Sequence, residues 1–224
     1  MHSLSVIIPT LNEADQISQS LAALPRSPEI EILVADGGSS DGTLELVRAA
    51  GVGVIQAPSC RALQMNLAAE QARSEVFLFL HADTLLPVGF QSWIEQALAH
   101  PDVVLGAFEL AIGGVGAGLR GIEKVANWRS RLLSKPYGDQ ALFLRRQTFF
   151  ELGGFRPIPI MEDYDLVLRA GRLGKIKISP AAAQTSARRW RRMGIIATTL
   201  MNWLMVCGFH LGVSPARLAR WYRA

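Results

Sequence analysis

The chain has 224 residues, of which half are hydrophobic and 19% are charged, and its formal net charge is +4. This composition excludes a disordered or low-complexity protein, and the length allows one sizeable hydrophobic core. Cys60 and Cys207 are far apart and lack the spacing of a zinc site, so neither structural zinc nor a disulfide framework is expected. No basic segment precedes an apolar run at the N-terminus, which favours a reducing, cytoplasmic setting.

The first half of the chain alternates short apolar runs with helical patterns. Strands that alternate with helices of about 10 to 15 residues predict right-handed βαβ units and a mostly parallel sheet. The strands are apolar without polar alternation, as expected when helices cover both faces of the sheet. The predicted fold class is therefore α/β and Rossmann-like. The predicted strands are 4–8, 31–35, 52–56 and 76–81, and the predicted helices are 13–24, 41–50 and 61–73.

The second half is less regular but shows no internal repeat and no long linker. We therefore expect one domain over residues 1–190, followed by a helical tail over 191–224. The expected elements are a strand over 103–112, a glycine-rich turn over 113–118, a helix over 119–134, a strand over 139–145, a helix over 162–173 and a short strand over 175–179.

The tail contains a long uncharged stretch, because residues 193–216 include no Lys, Arg, Asp or Glu. Three interpretations stay open: a helix packed within the protein or in a homodimer, a helix on a membrane surface, and a membrane span. A span takes ~20 apolar residues, whereas polar residues and glycines interrupt this stretch. Flanking arginines and tryptophans favour contact with the inner face of a membrane. An apolar stripe follows helical spacing at Ile196, Leu200, Trp203, Cys207 and Leu211.

Polar residues follow the first predicted strand, in the segment that contains Pro9, Thr10, Asn12 and Glu13. In open α/β sheets, ligands bind in the crevice beyond the carboxyl ends of the strands. We therefore expect this segment to line a crevice and contact a base or ribose. The alternative for Asn12 and Glu13 is that they cap the next helix.

Asp36 follows the second predicted strand directly, and two glycines come after it. Asp36 has no evident structural role in the sequence, so we expect it to contact a ribose or a base. Gly37 permits close approach of the backbone. Arg61 opens the third helix, where a guanidinium group and a helix N-terminus both favour anions. The alternative for Arg61 is an ordinary surface arginine.

His81 and Asp83 follow the apolar strand that ends at Leu80. A carboxylate at the end of a buried strand is unfavourable unless something uses its charge. Beside an imidazole, this carboxylate can hold a divalent cation and, through the cation, a nucleotide diphosphate.

These segments, in this order over roughly residues 4–185, resemble the family-2 glycosyltransferases with the GT-A fold. In that family an Asp-x-Asp motif holds the metal and the donor diphosphate. Here His81 stands at the first position, and Asp83 matches the second. Histidine suits Mn²⁺ better than Mg²⁺, so the choice between these cations stays open. The His-Ala-Asp-Thr sequence also resembles a small bacterial subgroup with members linked to arsenosugar biosynthesis.

Glu162 and Asp163 begin a predicted helix and match the family's Glu-Asp pair. The resemblance implies that Asp163 is the catalytic base and that Glu162 tunes or orients it. Asp165 competes for the same role, and all three acids also suit the dipole at a helix start.

Residues 184–190 resemble the family's Gln-x-x-Arg-Trp element, with one extra residue before the Arg189-Trp190 pair. The resemblance implies that Arg189, or its neighbour Arg188, neutralises the leaving diphosphate.

The predicted function is a hexosyltransferase-like, inverting transfer of a sugar from a nucleotide-sugar donor, with a UDP-sugar favoured, to an acceptor hydroxyl. No nucleic-acid partner is expected. A sugar-phosphate nucleotidyltransferase is one alternative, but it requires a basic loop after the first strand, and residues 9–13 contain no Lys or Arg. A non-catalytic nucleotide- or lipid-binding module is the other alternative. It explains the basic block around Arg188 and leaves Asp83 and Asp163 without a role.

Overall fold

The computed structural model describes residues 3–223. Its strands are β1 (Leu4–Thr10), β2 (Ile30–Asp36), β3 (Gly53–Gln56), β4 (Val76–Phe79), β5 (Thr84–Leu85), β6 (Val103–Ile112), β7 (Phe143–Arg145) and β8 (Lys175–Thr185). Its α-helices are α1 (Ala14–Ala22), α2 (Thr43–Ala49), α3 (Arg61–Gln71), α4 (Phe90–Leu98), α5 (Ala117–Leu133), α6 (Arg146–Glu151), α7 (Glu162–Leu173), α8 (Arg188–Met193), α9 (Ile195–His210) and α10 (Pro215–Arg223).

All eight strands belong to one sheet, in the order β3-β2-β1-β4-β7-β6-β8-β5. β1 is parallel to β2 and β4, and β2 is parallel to β3, so the carboxyl ends of four strands lie at one edge. β7 is antiparallel to β4 and β6, whereas β6 and β8 are parallel. The predicted α/β fold with a mostly parallel sheet is confirmed.

The central strands β1 and β4 are buried on both faces of the sheet, which explains why they are almost entirely apolar. Alternate residues of a strand point to opposite faces. Val6 and Ile8 of β1 therefore belong to one hydrophobic cluster, and Ile7 belongs to the other. α1, α2 and α4 cover the first face, where Ile17 is fully buried. α3 and α7 cover the second face, where Leu166 is fully buried.

Several predictions for the second half are wrong in their boundaries. The strand expected over 139–145 is confined to β7, because Gly138–Gln140 forms a 3-10 turn. The side chain of Gln140 holds that turn: its amide donates to Phe108 O at 2.8 Å, and its oxygen accepts from Ser130 Oγ at 2.7 Å. The structure also contains α4, α6 and β5, which were not expected from the sequence.

The strand expected over 175–179 continues to Thr185 as β8. Pro180 interrupts its pairing with β6, because proline has no N–H for the ladder. The register shifts there, between the Phe108–Ser179 and Glu109–Ala182 pairs, and this irregularity lets the strand continue past the proline.

The expected helical tail is formed by α8, α9 and α10. Within residues 3–223, no helix is both long enough and apolar enough to cross a membrane. α9 packs on α10 through Gly208, where an added Cβ would lie 2.7 Å from Leu218. The predicted stripe lies on the opposite face, with Trp203 63% exposed and Leu211 84% exposed. The interpretation that this stripe packs within the chain is therefore wrong.

Candidate active site

A cleft of about 780 Å³ opens at the carboxyl ends of β1 and β4. α9 and α10 form part of its wall, through residues that include Met205 and Tyr222. The fold thus brings together polar side chains from segments far apart in the sequence. The sequence-predicted residues that line the cleft are Pro9, Thr10, Glu13, Arg61, His81, Asp83, Asp163 and Arg189. The predicted residues Asn12, Asp36, Gly37 and Glu162 do not line it.

Asp36 is buried at the end of β2 and has a structural role that its sequence context does not reveal. Its carboxylate accepts hydrogen bonds from the N–H groups of Gly38 and Ser39, both at 2.8 Å, and from Thr10 Oγ1 at 3.2 Å. Burial alone raises the pKa of Asp36, but these hydrogen bonds lower it overall. Asp36 therefore holds the loop after β2 in shape, and its contact with a nucleotide stays a prediction.

Gly37 is needed for close packing beside the cleft. A Cβ at this position would lie 2.8 Å from Gln64 Nε2. That amide donates to Thr10 O at 2.6 Å and to Ala35 O at 3.0 Å, so Gln64 ties the ends of β1 and β2 together. A larger residue at Gly37 would displace this contact.

Asn12 links the loops that follow β1 and β2. Its N–H donates to Ser39 Oγ and its side-chain oxygen accepts from Ser40 N–H, both at 2.9 Å. Its φ of 55° lies in the left-handed region, which asparagine tolerates better than most residues. Glu13 reaches across the cleft instead and forms an ion pair with Arg188 at 2.8 Å.

Arg188, rather than Arg189, is the cation beside the acidic motif. Its Nη2 lies 3.7 Å from Asp83 Oδ2 while it pairs with Glu13. Burial raises the pKa of Glu13, and the guanidinium of Arg188 opposes that shift. Asp83 thus faces a positive charge supplied by the start of α8.

His81 lies against the 3-10 turn, since a Cβ built on Gly138 would be 3.1 Å from His81 Nε2. Burial and the nearby charge of Arg61 lower the pKa of His81 to about 4. The imidazole is therefore neutral at pH 7, and it has a nitrogen lone pair available to a metal or a hydrogen-bond donor.

Asp83 and His81 are suited to bind a cation together with the phosphates of the substrate. Within residues 3–223, no group of three or more His, Cys, Asp or Glu residues is arranged to hold a metal ion. Mg²⁺ is commonly bound by one or two carboxylates together with substrate phosphates. Asp83 and neutral His81 match such a partial site, and the imidazole favours Mn²⁺.

Asp163 is held at the start of α7 by backbone hydrogen bonds. Its Oδ2 accepts from Gly138 N–H and its Oδ1 from Tyr164 N–H, both at 2.7 Å. The preceding Glu162 is buried and forms an ion pair with Arg61. Burial raises the pKa of Glu162, and the charge of Arg61 opposes that shift. Arg61 therefore lies in the cleft as the partner of Glu162.

The competing carboxylate, Asp165, does not line the cleft. It is buried and pairs with Arg169 at 2.7 Å and with Arg156 at 3.1 Å. These ion pairs give Asp165 a structural role. Of the two aspartates in this turn, only Asp163 faces the cleft.

Comparison with known proteins identifies the family of this chain. The model of the family described as Glycosyl transferase family 2 matches residues 5–159. The chain belongs to this family. No curated protein matches the sequence at a significant level.

Solved structures of glycosyltransferases share the fold of this family-2 chain. S. aureus TarS 1–349 in complex with UDP-GlcNAc is 20% identical, with a TM-score of 0.64, 82% of this chain covered and 58% of that one. The mannosyltransferase PcManGT from Pyrobaculum calidifontis with GDP-Man and Mn²⁺ is 21% identical, with a TM-score of 0.60 and coverages of 89% and 64%. Glucosyl-3-phosphoglycerate synthase from Mycobacterium tuberculosis with Mn²⁺, UDP and glucosyl-3-phosphoglycerate is 19% identical, with a TM-score of 0.64 and coverages of 92% and 80%. The fold is therefore GT-A, and the chain spans less than two thirds of the first two proteins.

Asp139 is a cleft residue that was not predicted as a site residue from the sequence. Asp139 lies in the 3-10 turn and lines the cleft. Burial raises its pKa to about 6, although Arg129 opposes the shift. Ala141, at the end of the turn, has a φ of 49°, in the left-handed region. A non-glycine residue in this conformation costs roughly 1–3 kcal/mol, and such residues occur most often at functional sites. The available signal was an acidic residue next to an apolar run, although Asp139 precedes its strand whereas Asp83 follows one.

Proposed function

We propose that the chain transfers a sugar from a nucleotide-sugar donor to an acceptor hydroxyl, with inversion at the anomeric carbon. The observation that carries this proposal is the convergence of Thr10, Asp83 and Asp163 on one cleft. Glycosyltransferases of the same fold bind UDP-GlcNAc, GDP-Man and UDP, which supports a nucleotide-sugar donor. We favour a UDP-hexose.

The donor lies across the ends of β1, β2 and β4. Pro9, Thr10 and the loops held by Asn12 and Asp36 bind the base and ribose. Asp83 and His81 would hold the divalent cation, and Arg188 binds the diphosphate from the start of α8. A bound cation supplies positive charge that stabilises the departing diphosphate.

Transfer then needs a proton acceptor on the opposite side of the sugar. Asp163 takes the proton of the acceptor hydroxyl while its oxygen attacks the anomeric carbon. The bond from that carbon to the diphosphate oxygen breaks, and its electron pair leaves with the nucleoside diphosphate. Glu162, paired with Arg61, fixes the start of α7 and so the position of Asp163.

Thermal unfolding with nucleotides tests the donor proposal. UDP, GDP, dTDP and CMP are each added with Mn²⁺, Mg²⁺ or EDTA. A ligand that binds only the folded state adds about 2.7 kcal/mol to the unfolding free energy at a hundredfold excess over its Kd. We expect a shift with one nucleoside diphosphate that is larger with Mn²⁺ than with EDTA.

The same screen, extended to the corresponding nucleoside triphosphates, separates the alternative functions. A stabilising effect of nucleoside triphosphate that exceeds that of diphosphate would favour a nucleotidyltransferase. No shift with any nucleotide would contradict the transferase proposal and favour a lipid-binding module.

We also propose that the tail docks on an anionic membrane surface on the cytoplasmic side. After Asp165 the sequence contains eleven Lys and Arg residues and no Asp or Glu. α9 also contacts α5, since a Cβ on Gly118 would lie 2.6 Å from Ile195 Cδ1. Both helices expose large apolar side chains, including Trp128 of α5 and Trp203 of α9. Aromatic and basic residues of this kind favour the interface of an anionic bilayer.

A homodimer through the same surface is disfavoured, because a two-fold axis brings like charges together.

Sedimentation with phospholipid vesicles tests this docking. We expect binding to phosphatidylcholine vesicles that contain phosphatidylserine, weaker binding at high salt, and a loss of at least about fivefold in Trp203→Ala. Val88→Ser is the matched control, because Val88 is fully exposed on the loop before α4. Equal binding of both variants, or a dimer in solution that Trp203→Ala dissociates, would contradict the membrane proposal.

A further inference from the structure

Three buried polar atoms around the cleft lack hydrogen-bond partners among the described residues. They are Asp139 Oδ1, Arg129 Nε and Arg189 Nη2. Buried polar atoms in folded proteins are almost always paired, so each exception needs an explanation. These three residues lie near one another, since the carboxylate of Asp139 interacts electrostatically with both arginines.

Hydrogen bonds on both sides of Asp139 fix the backbone of the turn that carries it. Gly138 N–H donates to Asp163 Oδ2 at 2.7 Å, and Gln140 N–H donates to Tyr137 O at 3.1 Å. The side chain of Gln140 adds its bonds to Ser130 and to Phe108 O. The position of Asp139 beside the cleft is therefore determined by the turn.

The two arginines are held by aromatic rings rather than by carboxylates. The guanidinium carbon of Arg129 lies 3.5 Å from the ring centroid of Tyr137, and that of Arg189 lies 4.2 Å from the ring centroid of Tyr222. Stacking uses the flat face of a guanidinium group and leaves its N–H edge available. By contrast, Arg61 pairs with Glu162, and Arg188 pairs with Glu13.

This arrangement suits a ligand with several hydroxyl groups. An ionised carboxylate only accepts hydrogen bonds and a guanidinium only donates them, whereas a hydroxyl does both. Tyr137 and Tyr222 add aromatic surface to the same part of the cleft. The residue before Asp139 holds Asp163, so such a ligand lies beside the proposed base.

We propose that Asp139, with Arg189, forms the acceptor subsite of this enzyme and binds a polyol or a sugar. Asp139 Oδ1 accepts a hydrogen bond from one acceptor hydroxyl, and the guanidinium group of Arg189 donates to an oxygen nearby. A neighbouring hydroxyl is thereby presented to Asp163. This inference rests on the proposed function.

Kinetics of Asp139→Asn test the subsite. The assay follows release of nucleoside diphosphate from the sugar donor of the nucleotide that gives the largest thermal shift. The acceptor probes are water alone, glycerol, methyl α-D-glucoside and methyl α-D-mannoside. We expect at least one polyol to accelerate release by the wild-type enzyme. Asp139→Asn should raise the KM for that polyol at least tenfold, with the donor-dependent thermal shift unchanged. Asp102→Asn, at an exposed ion pair with Lys175, is the matched control.

Thermal stability without ligands supplies a readout that does not depend on turnover. Burial raises the pKa of Asp139 from 3.8 to about 6, so ionising it in the folded protein lowers stability progressively between these pH values and by the full amount above pH 6. Asp139→Asn should therefore raise Tm at pH 8 and not at pH 4. A structural role for Asp139 predicts a lower Tm at pH 8.

The outcomes are distinguishable. An unchanged polyol KM in Asp139→Asn, no acceleration by any polyol, or a lower Tm at pH 8 overturns the subsite and leaves donor binding intact. Absence of every nucleotide shift in the wild type overturns the proposed function, and the acceptor role of Asp139 with it.

Discussion

Asp163→Asn is expected to lower kcat by roughly 10²–10⁴-fold, the contribution of a positioned general base. Asparagine has nearly the same shape as aspartate and can still accept the hydrogen bond from Gly138 N–H, which is 2.7 Å long in the structure. It cannot take the proton of an acceptor hydroxyl. Turnover should therefore fall, whereas the nucleotide-dependent thermal shift should stay as large as in the wild type.

Asp165→Asn is the matched control for this experiment. Asp165 lies two residues further along the same helix, but its carboxylate pairs with Arg156 and Arg169 and does not line the cleft. We expect this variant to lose thermal stability, because removing one partner of a buried ion pair leaves a charge unpaired. Its kcat per folded molecule should be close to that of the wild type. Near-normal turnover in Asp163→Asn would remove Asp163 as the base.

The fold of the first half was predictable because local patterns there agree with the tertiary structure. Each strand of the parallel sheet is a short apolar run, and a helix of ordinary length separates it from the next. The carboxyl ends of such strands meet at one edge of the sheet. Residues as distant in sequence as Thr10 and Asp83 could therefore be assigned to the same cleft before the structure was known.

The second half was less predictable because long-range contacts determine it. The 3-10 turn at Asp139 depends on Gln140, whose amide reaches Phe108 O, 32 residues away in the sequence. Nothing local to Asp139 indicates that contact. The structural role of Asp36 was missed for a related reason, since part of its hydrogen bonding comes from Thr10 on the neighbouring strand.

The tail shows a different limit of periodicity. α9 is apolar around most of its circumference, so spacing alone does not identify the face that packs inward. The inner face carries small and flexible residues such as Gly208 and Met205, which fit closely against α10 and the cleft. The larger residues Trp203 and Leu200 are left exposed. The inward face of α9 is therefore set by its contacts with α10 and the cleft, which spacing alone does not reveal.

Asp83→Asn is expected to abolish the cation-dependent part of donor binding and to lower kcat/KM by at least about 100-fold, equivalent to about 2.7 kcal/mol of transition-state stabilisation. Asp83 lies in the loop between β4 and β5 and supplies a carboxylate ligand. The neutral imidazole of His81 offers one further ligand. An amide in place of Asp83 leaves that partial site without negative charge. The measurement is the thermal shift with the preferred nucleotide, compared between Mn²⁺ and EDTA, together with turnover.

His81→Asp is the informative companion variant, because it creates the family's Asp-x-Asp motif. A second carboxylate suits Mg²⁺ better than imidazole does, so the nucleotide shift with Mg²⁺ should increase relative to that with Mn²⁺. Without a cation this variant should be less stable, since its new charge lies close to Asp163 and Gly138. A metal preference identical to that of the wild type would remove His81 from the ligand set.

Arg188 provides the competing explanation for charge neutralisation at this site. Its guanidinium already lies 3.7 Å from Asp83 and forms an ion pair with Glu13. If Arg188 alone neutralises the diphosphate, the nucleotide shift will be the same in EDTA as in Mn²⁺, and Arg188→Gln will reduce it more than Asp83→Asn does. If a divalent cation is required, Asp83→Asn will have the larger effect. Comparing the two variants therefore decides between two consequences of having His81 at the first position of the Asp-x-Asp motif. Either a different metal is bound, or the guanidinium of Arg188 takes the place of the metal.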